Sequence, residues 1–154
     1  MQQPMPNEEI TRQEAMPSLF DKLNSRTSAP LKSFIDLIHY IKYEEKTRNI
    51  TENYRSMRNV DEKTAANLKV ESHAICPSIQ FKTKGRTLEY FEKETLILML
   101  DYDNVIALVY NDAMEKVKAC QHTMLAYRTI SGRGFRVLMK YERPEGCTLT
   151  AMWG

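Results

Sequence analysis

Three cysteines are all that this 154-residue chain has, and no two of them form a Cys-x-x-Cys pair. Cys76, Cys120 and Cys147 are far apart and odd in number, which argues against both a disulfide framework and a zinc ribbon. Cys120-Gln-His122 brings together two metal-ligating residue types, but nothing in the sequence supplies two more. A strong charge of either sign is also missing: 22 Lys and Arg stand against 20 Asp and Glu, a net +2. The chain as a whole is therefore no polyanion binder, and any nucleic-acid contact must rest on local patches. No apolar run approaches the length of a bilayer span, and the first residues lack the apolar core of a signal peptide. These absences lead to the expectation of a cytoplasmic protein with reduced thiols and no membrane partner. A hydrophobic fraction of 42% and a charged fraction of 27% are those of an ordinary globular chain, long enough for one real core.

The stretch around which the rest is organised is Thr95-Leu-Ile-Leu-Met-Leu-Asp101-Tyr-Asp103. Five consecutive apolar residues read as a strand buried on both faces. Side chains alternate along a strand, so Asp101 and Asp103 project to the same side of its end. Two hard carboxylate ligands on a fixed backbone are one way to hold a divalent metal. Asp is also frequent where a strand becomes a turn, so turn chemistry alone accounts for the same residues.

The chain in order predicts an α+β domain. Residues 1–15 are polar, carry Pro4 and Pro6, and read as a disordered tail; residues 16–154 read as a single domain. Ser18-Leu-Phe is a short edge strand or the entry to the fold. A helix is expected over 29–45, capped by Ser28, with Leu31, Phe34, Ile35, Ile38 and Ile41 as its apolar stripe. His39 beside that stripe reads as a packing or surface residue. Residues 52–57 are helical in character, and Asp61 caps a short helix over 62–68. Arg55, Arg58, Lys63 and Lys69 make this part basic; a solvated helix face accounts for them more simply than phosphate contact. Ser78-Ile-Gln-Phe is a strand, followed by the basic turn Lys82-Thr-Lys84-Gly-Arg86. After the acids come a helix over 113–120, a strand over 123–130, the turn Ser131-Gly132-Arg133-Gly134, and a strand over 135–141. Residues 144–154 carry no clear element.

The turn Ser131-Gly132-Arg133-Gly134 is the second half of the constellation. Its glycines permit positive dihedrals, and the amides of such a turn can form a small anion site. Ser131 adds a hydroxyl and Arg133 a fixed positive charge, both suited to phosphate. Metal and phosphate cradle together are what nucleotidyl transfer needs.

Apolar strand, Asp-x-Asp, helix, strand, Ser-Gly-x-Gly and strand, in that order, resemble the archaeo-eukaryotic primase superfamily. The closer resemblance is to the N-terminal domain found beside virulence-associated E (VirE) type ATPases of bacterial mobile elements. It is carried by Ser18-Leu-Phe, Asn53-Tyr-Arg55-Ser-Met-Arg58, Lys63 to Lys69, Cys76-Pro77-Ser-Ile-Gln-Phe81, Leu98-Met-Leu-Asp101-Tyr-Asp103 and Ile130-Ser-Gly-Arg-Gly-Phe-Arg-Val-Leu138. The resemblance implies a small, mainly antiparallel sheet with helices on one face, primase-polymerase-like and incomplete at its C-terminal end. It implies Asp101 and Asp103 as catalytic residues and ligands of Mg or Mn. Ser131, Gly132, Arg133, Gly134 and Arg136, with Lys82, Lys84 and Arg86, would contact phosphate or nucleic acid. The implied partners are nucleic acid, single-stranded DNA foremost, and a helicase-type ATPase. Two departures set this chain apart: Arg136 stands where such domains carry His, and neither Glu142 nor Glu145 suits the third acid. The expectation is therefore a nucleic-acid-associated replication module that is degenerate as an enzyme. An active metal-dependent nucleotidyl transferase and a non-catalytic interaction domain stand as the alternatives.

Overall fold

The structure is a computed structural model that describes residues 14–147. Most of the expected tail, and the end of the chain beyond Cys147, lie outside the described residues. Strand β1 (Ser18–Phe20) runs antiparallel between β2 (Ser28–Pro30) and β3 (Ala74–Cys76). A two-stranded sheet joins β4 (Ile79–Phe81) to β5 (Phe91–Glu94). Ser18 and Ser28 are buried because their hydroxyls serve backbone groups at this junction. Ser18 Oγ accepts from the Phe81 amide at 2.8 Å, and Ser28 Oγ donates to the Lys82 carbonyl at 3.4 Å.

The third sheet positions the site. Strands β6 (Ile97–Tyr102), β7 (Thr123–Arg128) and β8 (Phe135–Lys140) are antiparallel in the order β6-β8-β7. The alternation of β8 feeds two cores. Leu138 is buried on one face with Ile97, Leu31 and Leu37, while Phe135 and Val137 are buried on the other with Tyr110.

Four helices are described. Helix α1 (Phe34–Tyr43) starts where Ser33 Oγ accepts from the Asp36 amide at 3.2 Å. Glu44 ends α1 and caps α2 (Glu45–Met57) through the Thr47 amide, so the two helices meet at one residue. Asp61 caps α3 (Glu62–Glu71) at the Thr64 amide, at 3.0 Å. Helix α4 (Ala107–Ala119) lays Tyr110, Ala113, Met114 and Val117 on the Phe135 face of the sheet.

The α+β class of small antiparallel sheets and four helices is what the structure contains. Several local expectations differ from it. The acid-bearing strand is an edge strand, not one buried on both faces: Leu100 is 38% exposed, and β8 takes the centre. Helices do not share one face, because α4 covers one side of the third sheet and α1 packs into the core on the other. Residues 28–30 pair with β1 as a strand, so α1 begins only after Ser33. Leu37 rather than Ile35 faces inward: Leu37 is fully buried and Ile35 is 64% exposed. β1 is the middle strand of its sheet, not an edge.

Leu37→Ala should open a cavity at the centre of the first core and cost roughly 2–5 kcal/mol. Urea unfolding reads this as a lower midpoint with an unchanged slope. A loss under about 1 kcal/mol would mean that α1 is not packed as described.

Candidate functional site

Helix α2 holds the turn between β7 and β8. Arg55 Nε donates to the Ile130 carbonyl at 3.1 Å and Arg55 Nη2 to the Thr129 carbonyl at 3.2 Å. Arg58 Nη1 donates to the Ser131 carbonyl. Three consecutive carbonyls of the turn thus face two guanidinium groups. Gly132 sits at φ +71°, and Arg55 Nε would lie 3.2 Å from a Cβ placed there. A side chain at this position would be strained in backbone and would press on the arginine.

The same turn lies against the end of β6. A Cβ on Gly134 would collide with the Tyr102 carbonyl oxygen and come within 3.2 Å of Asp103 Cα, so only glycine permits the approach. Beyond it, the Val105 amide donates to the Arg133 carbonyl at 2.8 Å. Two amides of the turn are already used: Gly132 donates to the Thr129 carbonyl at 2.9 Å, and Arg133 to Ser131 Oγ at 3.2 Å. Side chains, rather than an open ring of amides, are therefore what the turn offers an anion.

Asp101, Arg136 and Tyr127 lie side by side on three neighbouring strands, in register. Arg136 Nε donates to Asp101 Oδ2 at 3.0 Å, with the two side chains 40% and 36% exposed. Burial opposes the charge of Arg136, but Tyr127 and Asp101 outweigh it and raise its pKa. Burial also raises the pKa of Tyr127, with Arg136 partly offsetting the shift. At this exposure the ion pair contributes at most about 1 kcal/mol. As a metal site, the donor set is two carboxylates, one of them already engaged by Arg136. Among the described residues, no group of three or more His, Cys, Asp or Glu comes together to hold a metal ion. Two such ligands do not by themselves make a closed hard-cation site.

Arg136 and Tyr127 also line a cleft of about 540 Å³ between α1–α2 and the third sheet. Its floor includes Ile41, Ile75, Met99 and Ile130. Six basic residues line it (Lys42, Arg48, Arg55, Lys69, Arg128 and Arg136) against one carboxylate residue, Glu52. Among the described ion pairs, only Arg136 of these six has an acidic partner. Arg55 shows the crowding: burial lowers its pKa, and the positive charges of Arg128 and Arg58 lower it further. Arg128 lies 4.8 Å from the centre of the Tyr110 ring, which fixes its place at the end of β7.

Lys82, Lys84 and Arg86 belong to a different place. Arg86 donates to the Lys22 and Leu23 carbonyls and stacks on Phe20 at 4.0 Å, while Lys84 bridges to Thr27. None of the three lines the cleft. The structure joins them to Arg133 and Arg136 through no described contact.

Fold and site together define a small α+β domain with an arginine-rich cleft between a helix pair and a three-stranded sheet. The chain belongs to the family described as BT4734-like, N-terminal domain, whose model matches residues 67–152, more than half of the chain. No curated protein and no solved structure matches it at a significant level. The match corrects the resemblance drawn from the motifs: the family found is not the VirE-associated, primase-type one, and nothing in the match links the chain to a primase or to replication. Asp-x-Asp at a strand end and a glycine-rich turn are short patterns that turn chemistry alone can produce. The helicase-type ATPase rested on that resemblance and has no other support.

The sequence reading passed over Arg48, Arg128, Tyr40 and His73. Arg48, Glu52 and Arg55 recur at helical spacing on one face of α2, a signal that was present in the sequence. Tyr40 and His73 meet only in the fold, their rings edge to face at 4.6 Å in the cleft wall.

Burial holds His73 below the ordinary histidine value, Lys46 lowers it further, and Glu44 and Asp21 oppose the shift. The unfolded chain then takes up this proton more readily than the folded one, so stability should fall as pH drops below about 6.5. His73→Gln should flatten the dependence of the urea midpoint on pH between about 7 and 5. Parallel curves for the two proteins would show that His73 does not titrate differently on folding.

Proposed function

We propose that this domain binds single-stranded nucleic acid along the arginine-rich cleft and does so without catalysis at rest. One observation carries the reading: six basic residues against one acidic residue line a cleft that also holds apolar side chains and Tyr127. A cationic wall follows the phosphates, while an apolar and aromatic floor receives bases, which is how sequence-tolerant single-strand binders work. Its volume of about 540 Å³ is in the range that holds a small ligand, and so suits single bases. Ser131, Arg133 and Arg136 stand at the end of this path in our reading. Asp101 and Asp103 act there as local electrostatic partners rather than as a filled metal site, because Arg136 already engages Asp101. A cytosolic setting, where single strands are met, belongs to the same proposal. Among the described residues, no helix is long and apolar enough to cross a membrane.

Fluorescence anisotropy with labelled oligothymidylate at several salt concentrations tests the reading. Affinity should fall steeply with salt, because each phosphate contact releases counterions. Arg48→Gln combined with Lys69→Gln removes two cleft charges that make no described structural side-chain bond. The plot of log affinity against log salt should become shallower by about 1.4, about 0.7 for each cation removed from the phosphate path. Lys82→Gln with Lys84→Gln should leave the slope unchanged. If that pair carries the loss instead, the basic turn and not the cleft is the binding surface.

A further inference from the structure

Among the described ion pairs, Arg136 alone of the six cleft cations is neutralised by a carboxylate, and the partner comes from the strand beside it. The pairing is built into the sheet register, which sets Asp101 directly opposite Arg136 and places Tyr127 on the other side. It is also a light bond. Asp101 is reached through Nε of the guanidinium, at 3.0 Å, by side chains that keep more than a third of their surface in solvent. A bidentate, buried pair would hold an arginine against any competitor; a single exposed contact does not. A phosphate presents more acceptor oxygens than one carboxylate oxygen and can take both terminal nitrogens in a fork.

We infer that Asp101 regulates the cleft as an internal competitor: it occupies Arg136 in the free protein, and a nucleic-acid phosphate must displace it to gain that contact. The inference rests on the cleft being the nucleic-acid site. Asp101 then sets a threshold. The five other cations attract any anion, but the sixth is released only to a ligand already held by the others. A chain of phosphates meets that condition, and a lone phosphate does not. The opposite role would make Asp101 a brace that aims Arg136 at the ligand and stays bonded to it throughout.

Asp101→Asn separates the two roles, because the amide oxygen still accepts from Nε while the negative charge is gone. Asp101→Ala removes charge and acceptor together. As a competitor, Asp101 predicts that both variants bind oligothymidylate about three- to tenfold tighter at low salt, with a salt slope steeper by about 0.7. As a brace, it predicts unchanged binding for Asn and weaker binding for Ala, and either result overturns the inference. Arg136→Gln completes a double-mutant cycle: with this arginine gone, Asp101→Asn should gain nothing. An equal gain in both backgrounds would reduce Asp101 to one more charge in the general field and would also overturn it. The thermal midpoint of each variant checks folding, and the light bond predicts small shifts. The paired Arg48→Gln and Lys69→Gln variant is measured alongside. If that variant binds as the parent does, the cleft reading itself has failed, whatever Asp101 does.

Discussion

Arg55 of α2, Arg58 at its C-cap and three carbonyls of one turn hold the helix pair to the third sheet. Arg55 and Arg58 take the carbonyls of Thr129, Ile130 and Ser131, and so fix a helix to the tip of a hairpin more than seventy residues away in sequence. A guanidinium that satisfies backbone carbonyls keeps its charge, because no carboxylate cancels it. Arg55, which docks α2, is therefore also one of the charges that line the cleft. The turn can sit there only because Gly132 adopts a positive φ and Gly134 lets the end of β6 come close.

The strand end beside this turn carries a second constraint. Asp101 stands near the end of β6 and Asp103 just past it, and the register of β6 against β8 puts Arg136 opposite Asp101. A cation beside one acid offsets part of what a divalent ion would gain there, by at most about 1 kcal/mol at this exposure. What remains free is positive charge spread along a cleft with an apolar floor. The family match covers β3 to β8 and α4, hence the sheet wall of this cleft, and leaves α1 and α2 outside.

The sequence made the elements legible more readily than their neighbours. Asp61 as a cap, the alternation of residues 135–140 and the turn at 131–134 are local signals, and each stands in the structure. Strand order is not local. Five apolar residues from Leu96 to Leu100 look like a central strand, and nothing within them says that β8 takes the middle. Leu37 and Ile35 are equally apolar, so only the packing of α1 could tell which one turns inward. Arg55 and Arg58 were visible as a basic helix face, but the carbonyls they serve lie in a turn that no spacing connects to them. The acids and the turn stand out in the sequence by their own chemistry, whereas the helical wall of the cleft depends on tertiary contact.

The most direct test of the account is amide hydrogen exchange with and without a saturating oligothymidylate. The cleft reading places the slowed amides in α2, at residues 45–57, and across the β7–β8 hairpin at 127–136, with the turn at 82–86 unchanged. Protection confined to residues 82–86, or none in either wall of the cleft, would contradict it.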